Sequence, residues 1–209
     1  AGSVAGEWIV TTGLGAVARY RPQAAESDIL ASGLDRLMDV VVYADGDIIV
    51  TEFGTGRLLQ IGDGEPTVLA DGLSEPMGLA IGPDGAVYVA ESGAGRVLRY
   101  AGGRTETICE TLGQPQGLTC IGDELFVLDV GQKSLVAINL SDRNPQIVAS
   151  DLPVGPPQGL YPKPLGAIGD MAGPMINFAG LTHDSAGRIY IAGDGEGSVL
   201  RLSRSGAPA

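Results

Sequence analysis

One short pattern recurs along the chain at a nearly constant interval. Three segments end alike, at Leu34, Leu73 and Leu152, and a looser copy ends at Leu112. The intervals between successive leucines are 39, 39 and 40 residues. A fixed period of this length indicates stacked copies of one small structural unit. The pattern therefore constrains the architecture of the chain more strongly than it constrains its chemistry.

Each period contains four short apolar runs separated by turn-forming residues. In the clearest copy, the runs occupy 77–81, 86–91, 96–100 and 105–109. Runs of this length, rich in Val, Ile, Leu and Tyr and bounded by Gly, Pro, Asp and Ser, are typical of antiparallel strands in a meander. No window of ten positions carries apolar residues at helical spacing, so the sequence predicts an all-β chain.

Four-stranded units of this size favour a radial arrangement, the β-propeller, because each twisted sheet has two apolar faces that only neighbouring sheets cover. A sandwich of tandem hairpins is the alternative, but sandwich strands do not repeat their sequence this closely. We therefore predict one propeller domain over 1–209. Its repeats fall at about 1–34, 35–73, 74–112, 113–152 and 178–209, with an insertion at 153–177.

The third repeat carries a resemblance to known repeat families. Its segments Glu75-Pro-Met-Gly-Leu-Ala-Ile-Gly-Pro-Asp-Gly-Ala-Val-Tyr-Val-Ala-Glu91 and Gly95-Arg-Val-Leu-Arg-Tyr100 resemble the repeat of NHL propellers and of the related gluconolactonase-like and strictosidine-synthase-like six-bladed propellers. The resemblance covers nearly the whole chain apart from the insertion. It implies the propeller fold but leaves the activity open, since such propellers include lactonases, lyases, synthases and repeats that only bind protein or RNA.

The predicted strands are too few to close a six-bladed ring. The first copy supplies three strands, the next three copies supply four each, and the last copy supplies three. A ring must close to cover its edge strands. We expect a compact five-bladed ring, a fragment of a longer chain, or a ring that a second polypeptide completes. The sequence begins directly before a predicted second strand, which favours a fragment or one subunit of a two-chain enzyme with a six-bladed parent.

Charge excludes several classes of partner. The net charge is −12 at pH 7, and the 13 Lys and Arg residues form no basic stripe. Nucleic acids and anionic membranes would be repelled, so neither is an expected partner. Cys109 and Cys120 fall on an outermost strand and on the following innermost strand, so two buried thiols are expected rather than a disulfide.

Three acidic residues occupy one position of the repeat. Glu52, Glu91 and Asp129 each end the second strand of their unit. Carboxylates at such positions commonly accept backbone N–H bonds from a turn, so a structural role is expected before a ligand-binding one. The acidic loop 194–197 could hold a cation, but acidic glycine turns are usually only solvated.

Polar residues precede the innermost strands, namely Arg36, Glu75, Gln114 and Asn177. Inner strands converge on the axis of a propeller, so these residues are expected to ring one mouth of its channel and to bind a small-molecule ligand. The resemblance to gluconolactonase-like propellers implies a divalent cation, Ca²⁺, held at such a place, with Glu75 and Asn177 as candidate ligands. Arg36 does not match that pattern and would instead steer an anionic ligand.

Candidate catalytic groups follow from the same arrangement. With a metal ion bound, Glu75 or Asp39 would take a proton from water that attacks a lactone or ester carbonyl. His183 is the only histidine. It is the candidate catalytic residue if the chain acts like the streptogramin-cleaving lyases, whose repeat is similar and which depend on a channel histidine. A hydrogen-bonded core histidine is the ordinary alternative.

The insertion at 153–177 is long for a loop in a compact domain, and such loops are usually functional or disordered. It is expected to cover the channel mouth, with Tyr161 as a candidate ligand contact, or to dock a partner. Two functions therefore remain open. One is a small-molecule hydrolase or lyase, with or without a metal ion, and the other is a non-catalytic propeller that binds protein in a larger assembly.

Overall fold

The structure is a computed structural model that describes residues 2–4, 6–156 and 178–203. In these ranges it contains nineteen strands, one short 3-10 turn at Ser92–Ala94 and no α-helix. The strands form five separate antiparallel sheets, in which strands adjacent in sequence are adjacent in space. The predicted all-β class is confirmed.

Four of the sheets have four strands. The first contains β1 (Gly2–Val4), β2 (Glu7–Thr11), β3 (Val17–Arg21) and β4 (Glu26–Ala31). The second contains β5 (Leu37–Val42), β6 (Ile48–Glu52), β7 (Arg57–Ile61) and β8 (Thr67–Ala70). The third contains β9 (Pro76–Ile81), β10 (Val87–Glu91), β11 (Arg96–Ala101) and β12 (Arg104–Cys109). The fourth contains β13 (Pro115–Ile121), β14 (Glu124–Asp129), β15 (Ser134–Asn139) and β16 (Pro145–Ala149). The fifth, within the described residues, contains β17 (Leu181–His183), β18 (Ile189–Gly193) and β19 (Ser198–Leu202).

The five sheets are the blades of a β-propeller. The innermost strands β5, β9, β13 and β17 contact one another in chain order, and the first sheet contacts β5. Four apolar clusters fill the spaces between successive blades. Each blade thus buries its apolar residues against the next one, which is the packing that the forty-residue period predicts.

The recurring leucines close the blades. The amides of Leu34, Leu73 and Leu112 donate to the carbonyls of Gly15, Gly56 and Gly95 at 3.0, 2.9 and 3.1 Å. The amide of Leu152 donates in the same way to Lys133 at 2.9 Å. Every accepting residue lies just before the third strand of its blade. The repeated leucine therefore returns the chain from the outermost strand toward the next innermost strand.

One strand count was wrong. The sequence predicts three strands for the first repeat, but Gly2–Val4 pairs with β2 and gives that sheet a fourth strand. The pairing joins Ser3 to Trp8 in register, although the short segment before Glu7 has no apolar run that would predict a strand. The three strands predicted for the last repeat are those that the described residues contain.

Glycines allow the inner strands to approach closely. A Cβ atom on Gly78 would lie 2.1 Å from the carbonyl oxygen of Gln116 in the next blade. A Cβ atom on Gly117 would lie 2.7 Å from the Cβ atom of Leu181. The equivalent Gly180 has space, with its nearest atom in Phe178 at 3.9 Å. Close approach of the backbones around the axis therefore requires glycine in the third and fourth blades.

The two cysteines are free, as predicted, with Cys109 buried and Cys120 partly buried. Burial, and to a smaller extent the nearby Asp84, raises the pKa of the Cys120 thiol to about 12. The thiol therefore stays protonated and unreactive near neutral pH.

We expect Ellman's reagent at pH 8 to label Cys120 at least about a hundred times more slowly in the folded protein than in guanidinium. The rate is measured by absorbance in the Cys109→Ser variant, in which Cys120 is the remaining thiol. Equal labelling rates of the folded and the guanidinium-unfolded variant would contradict a buried, protonated Cys120.

No helix in the described part of the chain is long and apolar enough to cross a membrane.

Candidate functional site

A cavity of about 290 Å³ lies on the propeller axis. The innermost strands of four blades line it, through residues 39–42, 79–81, 118–120 and 181–182. A second cavity of about 390 Å³ shares Asp39 and Thr182 with the first and extends to Tyr190 and Val199 of the fifth blade. Cavities of this size suit a small ligand. We call the axial cavity the channel.

Asp39 is the carboxylate that lines both cavities. Its Oδ1 atom accepts the amide of Val40 at 2.8 Å, and its Oδ2 atom accepts the amide of Leu79 in the next blade at 2.8 Å. Burial raises the pKa of Asp39 above its ordinary value, even though both amide hydrogen bonds favour the ionised form. Asp39 therefore places on the channel wall a carboxyl group whose pKa lies above its ordinary value.

The position of Asp39 in the repeat is unusual. Gly78, Gly117 and Gly180 occupy the equivalent position in the next three blades, so one blade carries a carboxylate where the others carry no side chain. In the second blade, the carboxylate accepts the Leu79 amide across the gap between blades. A side chain that is singular at a glycine position and faces a cavity is a candidate ligand contact.

His183 ends the innermost strand of the fifth blade and is exposed. Its Nδ1 atom lies 2.7 Å from the hydroxyl oxygen of Thr119 in the fourth blade. Thr119 lines the channel, and so does Thr182 beside the histidine. Because Nδ1 is engaged by Thr119 in either tautomer, any proton exchange with a ligand would have to use Nε2.

The predicted site residues are divided between the two ends of the channel. Arg36, Glu75 and Gln114 immediately precede β5, β9 and β13, and we call this end the leading mouth. Their carbonyl oxygens accept equivalent amides, those of Phe53, Ser92 and Val130, at 3.0 to 3.1 Å. His183 lies at the opposite end, the trailing mouth. His183 is equivalent to Ile81 of the third blade, which lies six residues after Glu75. Along an inner strand, six residues span roughly 20 Å. Glu75 and His183 therefore cannot act on one bond.

Arg36 is engaged by local partners. Its guanidinium lies over the ring of Phe53, 5.2 Å from the centroid, and forms an ion pair of 3.1 Å with Asp35. Both Arg36 and Glu75 adopt a positive φ, of 55° and 51°, in equivalent turns before the inner strand. Their backbone geometry is therefore a repeated feature of the fold.

The predicted Ca²⁺ ligands are Glu75 and Asn177, and Asn177 lies outside the described residues, as does Tyr161. Within 2–4, 6–156 and 178–203, no group of three or more His, Cys, Asp or Glu side chains could hold a metal ion. A hard divalent cation requires six or more oxygen ligands. Of the two predicted ligands, Glu75 is therefore the one that the described residues place, directly before β9.

The acidic residues at the ends of the second strands are structural, as predicted. Glu52 Oε1 accepts the Asp35 amide at 2.7 Å, and Glu91 Oε1 accepts the Ser74 amide at 2.7 Å. In the fourth blade, Asp129 accepts the amides of Gly113 and Gln114 at 2.7 and 2.9 Å.

These three carboxylates are fully buried. The sequence predicts that such carboxylates bind the turn that follows them. Asp129 does accept the amide of Gln132 in that following turn, at 3.1 Å. The partner that all three carboxylates share, however, is the loop before the inner strand, 15 to 17 residues earlier.

Asp194 performs the same function in the fifth blade, one residue later in the repeat. It accepts the amide of Gly155 at 2.8 Å, and Pro153 accepts the amide of Gly195 at 3.0 Å. The first residues of the insertion therefore replace the loop that precedes the inner strand in other blades. Residues 157–177, for which a lid or a docking segment is predicted, lie outside the described residues.

Thr119 is the residue of the candidate site that the sequence did not single out. It occupies a repeat position that is apolar in β5 and β9, where Val41 and Ala80 stand. The equivalent position in β17 is Thr182, so a threonine at this position in two of the inner strands is a usable signal. Its pairing with His183, 64 residues later, depends on how two blades stack and is visible only in three dimensions.

A scan against protein-family models finds no match for this chain, and a search of curated proteins finds none. Solved structures do match. A catalytically inactive histidine-to-alanine variant of virginiamycin B lyase from Staphylococcus aureus with quinupristin has a TM-score of 0.66 and 15% sequence identity, covering 94% of this chain and 62% of that chain.

Two further matches have similar scores. A streptogramin B lyase has a TM-score of 0.61 and 17% identity, covering 95% of this chain and 68% of the other. A chain of a nidogen–laminin complex has a TM-score of 0.64 and 15% identity, covering 93% and 76%. The present chain thus spans between 62% and 76% of the length of these proteins. At such low identity the likeness shows the fold alone, and that fold is the β-propeller.

Proposed function

We propose that this chain forms the channel of a small-molecule lyase or hydrolase, with His183 as its general base. The observation that carries the proposal is the 2.7 Å contact between Thr119 and His183 Nδ1 at the trailing mouth. It orients the ring and leaves Nε2 to exchange protons. A base that a second side chain positions is the usual arrangement for proton transfer in enzymes.

The imidazole supports either of two reactions. In hydrolysis, Nε2 takes a proton from water, the oxygen attacks an ester or lactone carbonyl, and the imidazolium returns the proton to the leaving oxygen. In elimination, Nε2 takes a proton from the carbon next to the one that carries the leaving group, a carbon–carbon double bond forms, and the leaving oxygen departs. Both reactions need one base at one channel mouth.

Asp39 binds the far end of the ligand in this proposal. It lies three strand residues deeper than His183, which is about 10 Å along the axis, too far to act on the same bond. Its carboxyl group lines the cavity, and burial raises its pKa above the ordinary value. It therefore accepts a hydrogen bond from the ligand when ionised and donates one when protonated.

The comparisons support the reaction class without naming a substrate. Two of the similar structures are lyases of streptogramin type, and one is described as inactive after replacement of a histidine and contains quinupristin. Quinupristin is therefore a rational first probe, together with simpler lactones and esters.

The test is turnover of this panel by the wild type and by His183→Ala, followed by mass spectrometry. We expect His183→Ala to lower kcat/KM by about a hundredfold or more, the usual contribution of a general base. In heavy-oxygen water, hydrolysis places one labelled oxygen in the product and elimination places none. Equal turnover by His183→Ala for every substrate would refute the role of His183.

A matched pair of variants tests the role of Thr119 as a positioning residue. Thr119→Val removes the hydroxyl that orients the imidazole, so kcat should fall by about tenfold while KM stays constant. Thr182→Val changes the same residue type at the equivalent repeat position, also on the channel wall, and should leave kcat unchanged. An equal loss in both variants would indicate a general effect of polarity in the channel.

A further inference from the structure

In the described part of the chain, the channel has one acidic side chain and no basic one. Asp39 lines both cavities, and none of the other described residues that line them is Asp, Glu, Lys, Arg or His. The walls around it are largely aliphatic, with side chains such as Val41, Leu118 and Ile191. A carboxylate in apolar surroundings lacks the solvation that it has in water, and a ligand of opposite charge compensates for that loss.

The carboxylate of Asp39 has further acceptor capacity. Its two oxygens each accept one backbone amide, from Val40 and from Leu79, at 2.8 Å. No side chain among the described residues forms an ion pair or a hydrogen bond with it. A carboxylate provides about four acceptor sites, so about two remain for a ligand. A ligand group that donates hydrogen bonds and carries positive charge suits them best.

Aromatic rings lie in the same cavity as this carboxylate. Phe178 and Tyr190 line the larger cavity together with Asp39. The faces of aromatic rings attract organic cations such as ammonium groups. A hard metal ion would instead need six or more oxygen ligands, which largely aliphatic walls do not supply. The carboxylate, the rings and the aliphatic walls together fit an organic ammonium compound.

The hairpins that follow the inner strands make the trailing mouth acidic. Arg99 and Arg188 form ion pairs with Asp84 and Asp184, whereas the other aspartates of these hairpins have no cationic partner among the described residues. Such a rim concentrates cations at the opening and repels anions. The second to fifth blades contribute five aspartates to it, namely Asp45, Asp47, Asp84, Asp123 and Asp184.

Tyr43 lies between two of these hairpins. Its hydroxyl donates to the carbonyl of Gly85 at 2.7 Å, which joins the hairpins of the second and third blades. Burial raises the pKa of this hydroxyl above its ordinary value, and the carboxylates of Asp45, Asp47 and Asp84 raise it further. The carboxylates of neighbouring hairpins therefore act together on groups at the trailing mouth.

We propose that the channel binds an organic ammonium compound, which enters by the trailing mouth and places its ammonium nitrogen in hydrogen-bond contact with Asp39. The inference rests on the proposed function in taking the channel as the ligand site, and it names the substrate class of that site. Asp39 lies about 10 Å along the axis from His183. The substrate is therefore a compound with a basic amine at about that distance from the bond that reacts.

The probe is cyclohexylamine, which is protonated at neutral pH. Cyclohexanol has the same shape without the charge, and cyclohexanecarboxylate has the opposite charge. Titration of the isotope-labelled whole chain is followed by NMR at the amides of Val40 and Leu79, which donate to Asp39. We expect both amide signals to shift with cyclohexylamine, with a dissociation constant below about 5 mM. The other two compounds should bind at least about tenfold more weakly.

Three results with the wild type would overturn the proposal: equal affinities for cyclohexylamine and cyclohexanol, no shift of the two amides, or no binding of the amine at about 50 mM. These measurements need no turnover, because cyclohexylamine contains no ester or lactone. If the amine binds and no substrate of the panel reacts, the proposed reaction fails and this inference stands. Turnover without any preference for the amine overturns this inference alone.

A matched pair of variants separates contact from general charge. Asp39→Asn removes the carboxylate from the channel and should weaken binding of cyclohexylamine at least about tenfold, while binding of cyclohexanol stays unchanged. Asp123→Asn removes one exposed charge from the rim and should change the affinity for the amine by less than about twofold. An equal loss in both variants would show that surface charge holds the amine, and would overturn the contact with Asp39.

Discussion

Replacing Gly78 by alanine should destabilise the propeller by about 3 kcal/mol or more, since overpacking at a site that cannot relax is among the costliest single changes. The added Cβ atom would lie 2.1 Å from the carbonyl oxygen of Gln116, in the innermost strand of the next blade. That oxygen belongs to the backbone, so two blades must separate to admit the methyl group. For a chain of this size, the expected fall in Tm is about 6–12 °C.

The control is the same substitution at the equivalent position of the fifth blade. At Gly180, the nearest atom to an added Cβ is in Phe178 at 3.9 Å, an ordinary contact distance. Gly180→Ala should change the free energy of unfolding by less than about 1 kcal/mol. Urea unfolding followed by circular dichroism compares the two variants. Similar midpoints for Gly78→Ala and Gly180→Ala would show that the inner strands are not packed as described.

The second large effect is expected at the buried carboxylates. Glu52→Gln keeps an acceptor for the Asp35 amide but places an amide group against Arg57, whose Nε donates to Glu52 at 2.7 Å. Removing one charge of a buried pair costs about 3–5 kcal/mol, and partial exposure of Arg57 reduces this to about 2–3 kcal/mol. Glu106→Gln, which breaks the exposed pair with Arg143 at 2.7 Å, should cost less than about 1 kcal/mol.

The same carboxylate gives an acid dependence with a defined sign. Burial alone raises the pKa of Glu52, but hydrogen bonds from Thr55, the Asp35 amide and Arg57 outweigh burial and hold the pKa below the ordinary value of 4.5. Its contribution to stability is therefore present above pH 4.5 and is lost as the pH falls through the lowered pKa. Below pH 4.5, Glu52→Gln should lose stability less steeply than wild type. If the free energies of unfolding of Glu52→Gln and wild type fell equally steeply with pH, the acid sensitivity would belong to other groups.

The fold was predictable because its determinants are local. The period of the closing leucines, the four runs per repeat and the glycine turns each report on neighbours within about forty residues, and together they specify blades. Strand β1 escaped prediction because Gly2–Val4 is held by pairing with β2 rather than by an apolar pattern of its own. Local patterns cannot show that kind of dependence.

The candidate site was predictable only in parts. His183 and Asp39 stood out by residue type, but their separation along the axis and the contact of Thr119 with His183 arise from the stacking of blades. The glycines equivalent to Asp39 occupy one position of the aligned repeats, so comparing that position would have distinguished Asp39 from Glu75. The residues of the leading mouth were placed in equivalent turns correctly, yet Arg36 binds Asp35 and Phe53, which sequence spacing does not reveal.

The carboxylate contacts also bear on how the chain unfolds. In the second, third and fourth blades these contacts join residues 15 to 17 apart, so these blades are fastened by short loops of their own rather than by distant parts of the chain. Structures built from such units lose order from their ends, where each unit has one neighbour instead of two. Amide hydrogen exchange should therefore be slowest in the third blade and quickest in the first and fifth, a gradient of opening free energies along the chain.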